Sequence, residues 1–292
     1  QVDNPYPYIY ALWFNEAVLG PYGKKHHGHQ TKLLDKILRD PKAHGTLLAA
    51  CHYQKGMHHL FSNRFDSSNV EFAQVGNLRN WQYVGPFENL SQSGFYKNYG
   101  PLDHPDGKAT FVSNTSAKVK WFSPTVEISD GWNPVIYQFN ERTAVVYAQT
   151  FINSPKEQEI LCNAGAGGAI KIWINDALIL SEYTERVTEM DTYTAKCKLQ
   201  KGVNRVLVQL SYTNSNYANF SVRLTDERHR TIPGLIGSAQ YKPYVKATKS
   251  TALPVKHFAE SFFQDKIGKE PGNLVNYLLL ADVYLRNRKL TE

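Results

Sequence analysis

The chain has 292 residues, of which 42% are hydrophobic and 20% charged, and its mean hydropathy is −0.45. The length suggests about two domains, and no run reaches the ~18 apolar residues of a membrane-spanning helix. The net charge of +7 comes from the ends: residues 1–80 carry 9 Lys and Arg against 6 Asp and Glu, residues 240–292 carry 9 against 5, and residues 81–239 carry 15 of each. Nucleic-acid binders cluster positive charge on one surface, so this distribution argues against a nucleic-acid partner.

Residues 1–78 are predicted to form an N-terminal helical segment. Residues 31–38 place four apolar side chains at helical spacing, and Pro41 ends that helix. A second helix is expected from about Thr46, and the aromatic-rich stretch Tyr8–Leu19 forms an earlier one. Short isolated helices are marginal in water, so these helices need a surface to pack against.

Residues 79–238 change to a two-residue period. Apolar and polar side chains alternate in five segments, 143–152, 170–174, 193–199, 203–212 and 220–224. Turn residues such as Asn175-Asp176 separate these segments. Many short strands without helical spacing between them predict an antiparallel β-sandwich.

The helical period returns after a predicted linker at 239–254, which we interpret as a strap across the sandwich. Residues 255–292 carry apolar side chains at i, i+3, i+4 and i+7 in two stretches, separated by a break at 268–272. We therefore predict an α+β multidomain protein, an antiparallel β-sandwich of the jelly-roll type flanked by N- and C-terminal α-helical segments.

The last forty residues resemble a tetratricopeptide repeat. The matching residues are Ala259, Phe263 and Pro271 for the second helix of one repeat, and Leu280, Ala281 and Tyr284 for the first helix of the next. Small alanines allow close helix crossing, and aromatic side chains fill the groove beside them. The resemblance implies a truncated helical hairpin that offers a surface to a protein or peptide partner.

The middle of the chain, Val145 to Asp226 with a front piece at Trp81–Phe87, resembles the galactose-binding-like jelly-roll family of carbohydrate-binding modules. The matching pieces, in order, are Asn80–Phe87, Lys171–Asp176, Arg186 with Asp191, Leu199–Val208 and Phe220–Asp226. The chain departs from the family at Asp176, where glycine is common. The resemblance implies a glycan site in the loops at one end of the sandwich, with Asp191 as a structural turn residue.

Together these features resemble the N-terminal part of exported bacterial proteins that carry tetratricopeptide repeats ahead of a transglutaminase-like domain. The resemblance implies a non-catalytic accessory part without cofactors, a periplasmic or extracellular location, and a papain-like core beyond residue 292. The start at Gln1, without Met, is typical of a processed or trimmed end and favours export.

Other candidate chemistry is expected to be structural. The histidine-rich stretch 24–29 lacks a spaced carboxylate or thiol, so we predict a solvated loop and no metal site. Cys51 lies on an apolar helix stripe, where a buried thiol is the default; it is the best nucleophile if the chain is an enzyme. The glycine-rich stretch 165–168 is predicted to connect strands, and Glu127 with Asp130 is not a convincing hydrolytic pair. Cys162 and Cys197 are either bridged or free.

Sugar binding has the strongest support among functions. Sugar rings stack on aromatic faces, and their hydroxyls pair with polar side chains. The candidate ligand-binding residues are Trp132, Tyr217, Asn214, Asn216 and Trp121. The alternative is a structural or protein-interaction scaffold that positions a downstream catalytic domain and binds no glycan.

Overall fold

The computed structural model describes residues 3–12, 27–125, 130–247 and 249–291. A ten-stranded antiparallel sheet lies at its centre, accompanied by a two-stranded sheet and by helices. The predicted α+β class with a large antiparallel sheet is therefore confirmed. Among the described helices, none combines the length and apolar content of a bilayer-spanning segment.

The described parts of the N-terminal region are helical, as its period predicts; residues 13–19 of the predicted helix Tyr8–Leu19 lie outside the described residues. Its helices are α1 (Tyr6–Leu12), α2 (His27–Leu38), α3 (Gly45–Phe61) and α4 (Phe65–Val75). The sequence did not reveal α4 as a separate element, because several of its apolar side chains are exposed and only part of one face is buried. That face sets Phe72 against Gly56 of α3, where an added Cβ would lie 2.5 Å from the ring.

The strands follow in the order that the alternating segments predict. They are β1 (Gln82–Phe87), β2 (Phe111–Val112), β3 (Lys118–Val119), β4 (Asn133–Pro134), β5 (Ala144–Ser154), β6 (Gln158–Ile174), β7 (Ala177–Val187), β8 (Tyr193–Leu199), β9 (Gly202–Tyr212), β10 (Asn219–Thr225), β11 (Gly237–Ser238) and β12 (Leu253–Val255). The remaining helices are α5 (Ile136–Phe139), α6 (Phe258–Lys269) and α7 (Leu274–Arg286).

The long strand β6 divides the ten-stranded sheet into two halves. Its first half, residues 158–166, pairs with β8 and β10. Its second half pairs with β9 and β7, and β9 leads on to β5 and β1. Every one of these pairings is antiparallel.

The glycine-rich stretch 165–168 corrects one prediction. It lies inside β6, where the strand changes partners, and does not connect two strands. Close backbone approach requires glycine there: a Cβ at Gly167 would lie 2.0 Å from the carbonyl oxygen of Tyr217, and one at Gly168 would lie 2.7 Å from that of Ser211.

The two faces of the alternating strands enter two different apolar clusters. Along β5, Ala144 and Val146 join the main core, which draws buried side chains from both halves of the sheet. Val145 and Tyr147 point the other way, into a second cluster that residues 88–122 cover. The predicted alternation along β5 is thus confirmed residue by residue.

Residues 239–247 and 249–254 pass across the end of the sheet. The Tyr244 hydroxyl lies 2.8 Å from the Asp176 carboxylate, and the Ala247 N–H donates to the carbonyl of Asn175 at 2.8 Å. Asp176 also pairs with the buried Arg205 at 2.9 Å. β12 then adds to the edge of the sheet beside β8. These contacts hold the segment against the turn between β6 and β7 and against the sheet edge at β8.

The first and last helices share one apolar cluster. Tyr10 and Ala11 of α1 pack with Ala259 and Phe263 of α6 and with α7. The Tyr10 hydroxyl donates to Asn287 at 2.7 Å, and its ring lies 4.4 Å from the Arg286 guanidinium. The first described helix therefore packs against the last two, a contact that regional patterns of sequence do not predict.

A buried ion pair links this helical material to the sheet. Asp191, in the turn before β8, accepts a hydrogen bond from Thr46 of α3 at 2.8 Å and pairs with Arg223 of β10. Both ionic side chains are almost fully buried. Arg223 also donates to the carbonyl of His229 at 3.1 Å.

Three histidines complete the same contact. The His44 ring stacks on Phe258 at 4.0 Å and lies 4.5 Å from the His229 ring. His44 and His257 each use Nδ1 to accept a backbone N–H of the following helix, α3 and α6 respectively, at 3.3 Å. Burial lowers the pKa of His44 to about 3 and holds that of His257 well below its usual range. We call this group of side chains the buried junction; its members are Thr46, Asp191, Arg223, His44, His229 and His257.

Candidate functional site

An open cleft of about 270 Å³ lies where β7 and β9 end. Its walls come from the second half of β6, the end of β7 and the loop after β9. The lining residues are Gly167, Gly168, Glu185, Arg186, Val187, Tyr212, Thr213, Asn214, Ser215, Asn216 and Tyr217. We call it the loop cleft. Three of the five residues predicted for ligand binding, Asn214, Asn216 and Tyr217, are brought together here.

The loop is held by hydrogen bonds that leave these side chains exposed. The Glu185 carboxylate accepts from the Thr213 N–H and hydroxyl, both at 2.9 Å. The Asn214 N–H donates to the Thr143 hydroxyl at 3.0 Å, and the Ser215 N–H donates to the Arg142 carbonyl at 3.0 Å. Backbone and Thr213 groups make these bonds, so the loop has a fixed shape while its Asn and Tyr side chains face solvent.

Tyr217 is the exposed aromatic residue of the cleft, with 67% of its surface accessible. Its carbonyl group lies close to Gly167 of β6, and its N–H donates to the Ser215 hydroxyl at 3.1 Å. Glu185 and Arg186 place one charge of each sign at the cleft. Arg186 also lies near Tyr193, whose pKa is raised to about 12, mainly by burial.

The two predicted tryptophans do not line the loop cleft. Trp121 is 8% exposed, belongs to the second apolar cluster, and donates from Nε1 to the His104 carbonyl at 2.8 Å. Trp132 is half-buried and packs against Ala49 and Val75, its ring over Gly165. Both rings take part in packing, and the structure does not bring them to the loop cleft.

Sequence reasoning missed Glu185 and Arg186 as site residues. Arg186 was noted only as part of the family resemblance, and its partner in that pattern, Asp191, lies in the buried junction. The signal that could have found them is their position at the end of β7. In the sheet, β7 and β9 both pair with β6, and this order places the end of β7 beside the 213–217 loop. That order is long-range information that a single strand pattern does not carry.

A second aromatic feature lies on the outer face of β7. Tyr183 and Tyr96 stack with ring centroids 5.3 Å apart and an interplanar angle of 26°. They are 42% and 70% exposed. Phe95 contacts both rings edge-on, and the Lys171 ammonium lies 4.2 Å from the Phe95 ring centroid. No sequence pattern joined these residues, because they are far apart along the chain.

The alternative chemical candidates lie in structural surroundings. Cys51 is buried, and burial raises its pKa to about 12; the neighbouring His52 pairs with Glu71 at 2.7 Å. Cys162 and Cys197 are buried free thiols, and burial raises the pKa of each. In the part of the chain that the structure covers, no group of three or more His, Cys, Asp or Glu is placed to hold a metal ion.

Two further sequence candidates fall partly outside the described residues. Residues 24–26 of the histidine-rich stretch are not described, and α2 begins at His27. Glu127 also lies outside the described residues. Its proposed partner, Asp130, has its pKa raised by burial.

Comparison with known proteins gives no family assignment. No protein-family model matches the chain, and no curated protein matches it. Three solved structures illustrate the similarities. A β-glucosidase from Kluyveromyces marxianus in complex with glucose is 19% identical, with 31% of this chain and 12% of that chain covered and a TM-score of 0.27. An anti-sigma factor domain-containing protein is 17% identical, with coverages of 55% and 48% and a TM-score of 0.32. A family 35 carbohydrate-binding module from an environmental isolate is 16% identical, with coverages of 37% and 75% and a TM-score of 0.23.

The chain thus spans about an eighth of the length of the β-glucosidase that it matches. These similarities concern parts of the structures that are compared.

Proposed function

We propose that this chain is a non-catalytic glycan-binding module. The observation that carries the proposal is the meeting of Asn214, Asn216 and Tyr217 around one open cleft beside Glu185 and Arg186. These residues combine an exposed ring with amide, carboxylate and guanidinium groups. Sugar recognition needs both an apolar surface for the ring face and polar groups for the hydroxyls.

The size and openness of the cleft fit a small polar ligand. Its volume of about 270 Å³ lies just below the range of about 300–1,000 Å³ that is usual for ligand pockets, so the ligand that it encloses is small. Hydrogen bonds to charged groups contribute roughly 1.5–3 kcal/mol each, so a few such bonds are sufficient for weak, specific binding. The pre-formed loop reduces the ordering cost that binding would otherwise carry.

We also propose a specific type of sandwich for the sheet and a specific type of packing for the C-terminal helices. The two halves of the sheet share β6 and contribute side chains to one core, which supports a jelly-roll sandwich of the galactose-binding-like kind. The antiparallel pair α6 and α7, with Ala259 and Phe263 fully buried, supports tetratricopeptide-like packing. An exported location within a larger bacterial protein stays part of the proposal on the sequence resemblance.

The non-catalytic part of the proposal rests on the state of the candidate nucleophile. Cys51 is buried, its pKa is raised to about 12, and its neighbour His52 is engaged by Glu71. A nucleophilic thiol needs a lowered pKa and access to substrate.

A glycan array followed by calorimetric titration tests the proposal. We expect the wild-type chain to bind at least one glycan and Tyr217→Ala to weaken that binding about tenfold or more. Tyr277→Ala is the control, since this tyrosine of α7 is also exposed and lies outside the cleft. Absence of binding across the array, or equal binding by Tyr217→Ala, would overturn the proposal.

A second candidate function is a protein-interaction scaffold, and α7 provides the observation for it. Leu274, Leu278 and Leu285 recur on this helix at helical spacing and are exposed, and Val275 beside them is exposed too. Such an apolar stripe is typical of a protein-binding surface. If a second copy of the chain occupies it, sedimentation velocity will show concentration-dependent association that Leu278→Glu abolishes. A monomer at all concentrations would remove this form of the scaffold.

A further inference from the structure

Tyr183, which stacks on Tyr96, lies on β7, and the end of this strand lines the loop cleft. Tyr183 and Glu185 both lie on β7, in the stretch between Glu182 and Arg186 where the pairing with β6 is irregular. Glu185 in turn holds Thr213 at the rim of the cleft. The strand that carries Tyr183 therefore also carries the residue that holds the loop of the cleft.

The segment that carries Tyr96 is fastened to the same end of the sheet. The Asn89 amide donates to the carbonyl of Tyr212 at 3.1 Å, next to Thr213. The 3₁₀ segment Leu90–Tyr96 follows directly after this anchor. At its other end the Phe95 carbonyl accepts hydrogen bonds from Lys171 at 2.6 Å and Gln209 at 3.0 Å. Both ends of the segment are therefore fixed against β6 and β9.

The exposed rings of Tyr96 and Tyr183 pack against Phe95, which in turn contacts Lys171. The Lys171 ammonium lies 4.2 Å from the Phe95 ring centroid and 5.4 Å from that of Tyr96, so a cation sits against the aromatic cluster. Tyr96 nevertheless remains 70% exposed. A rigid, solvated aromatic surface of this kind costs little conformational entropy when a flat ligand stacks on it.

We infer that Tyr96 and Tyr183 form a second subsite for the same glycan, so that the ligand is an oligosaccharide chain and not a single terminal sugar. This inference rests on the proposed function. One sugar ring occupies the loop cleft near Tyr217, and the chain continues along the outer face of β7 to the stacked tyrosines. A flat sugar ring suits the second subsite because its apolar face covers an exposed aromatic ring while its hydroxyls stay in water.

Titrations with oligosaccharides of increasing length test the inference. The probes are glucose, cellobiose and cellotetraose, with the matching xylose and mannose series in parallel. In at least one series we expect the tetrasaccharide to bind about tenfold more tightly than the monosaccharide. Tyr183→Ala is expected to remove this gain while leaving monosaccharide affinity within about twofold, and Tyr183→Phe is expected to retain it.

Tyr277→Ala is the matched control, because Tyr277 is 43% exposed against 42% for Tyr183. An unchanged thermal midpoint of each variant establishes that folding is intact. Binding without any gain from chain length, or a gain that survives Tyr183→Ala, would overturn the second subsite and leave the proposed function standing. Failure of every probe to bind the wild-type chain would count against both proposals.

Discussion

The loop cleft and the buried junction use the same types of polar side chain for opposite purposes. In the junction, Asp191 and Arg223 are almost completely removed from water, and each is held by further hydrogen bonds. In the cleft, Glu185 holds the loop from the surface, and Asn214 and Tyr217 face solvent. Buried charges are costly unless paired, whereas exposed polar groups remain available to a ligand. Substitutions in the junction should therefore change stability, and those in the cleft should change binding.

The largest expected effect comes from breaking the buried ion pair. Asp191→Ala leaves Arg223 charged and without its partner, and we expect it to lower the free energy of unfolding by about 3–5 kcal/mol. Chemical denaturation measures the change. Glu157→Ala is the control, since Glu157 pairs with Lys198 at 2.5 Å on the surface and should cost less than about 1 kcal/mol. Equal losses for the two variants would refute the contrast.

Acidification is expected to lower the stability of the fold by protonating the histidines of the buried junction. Burial lowers the pKa of His44 to about 3 from its ordinary 6.5, so on acidification the unfolded chain binds protons before the folded chain does. Stability is complete above pH 6.5 and is lost as the pH falls toward 3, by roughly 2–3 kcal/mol between pH 6.5 and 4 at 1.36 kcal/mol per pH unit. Thermal unfolding at several pH values measures this slope.

His44→Asn isolates the contribution of that ring. Asparagine keeps a side-chain acceptor at the helix N-terminus and does not titrate, so the slope should become shallower. His104→Asn, at an exposed histidine, is the control. Identical slopes in wild type and His44→Asn would show that other groups govern the acid response.

Loss of the Glu185 carboxylate, which anchors the 213–217 loop, is expected to weaken ligand binding at the cleft. Glu185→Ala removes the two hydrogen bonds that hold Thr213, so the 213–217 loop becomes mobile and must be ordered on binding. We expect glycan affinity to fall about tenfold and the free energy of unfolding to change by less than about 1 kcal/mol. Calorimetric titration and denaturation measure the two quantities. A loss of stability matching that of Asp191→Ala would contradict a purely local role.

The smallest expected stability effect is that of Tyr217→Ala. The ring is 67% exposed, so its removal should change the free energy of unfolding by no more than about 0.5 kcal/mol. Denaturation with the same protocol as for Asp191→Ala checks this. A large loss would mean that the Tyr217 ring packs into the fold and is not held out for a ligand.

The sequence predicted local structure well where one face of an element is buried. Alternation placed Val146 and Val145 on opposite faces of β5, and the helical stripe at 31–38 lies in α2. The sequence could not predict which aromatic rings are buried by packing against other elements. Trp132 follows a turn-like stretch, yet the helices α3 and α4 fold against it. That contact joins distant segments, so no local pattern reports it.

The same limit explains the mixed outcome at the candidate site. Asn214, Asn216 and Tyr217 form a short polar and aromatic loop, which local composition marks as exposed. Arg186 joins them only because β7 pairs with β6, whose Gly167 and Gly168 line the same cleft. Sheet order therefore decides the site, and single-sequence patterns do not determine sheet order.

Chemical-shift mapping during a glycan titration tests the central claim most directly. We expect ligand to shift the amide signals of Asn214, Asn216 and Tyr217 while the indole Nε1 signals of Trp121 and Trp132 and the signals of the buried junction stay in place. Shifts centred on either indole or on the junction, with the 213–217 loop unmoved, would contradict the claim that the loop cleft is the glycan site.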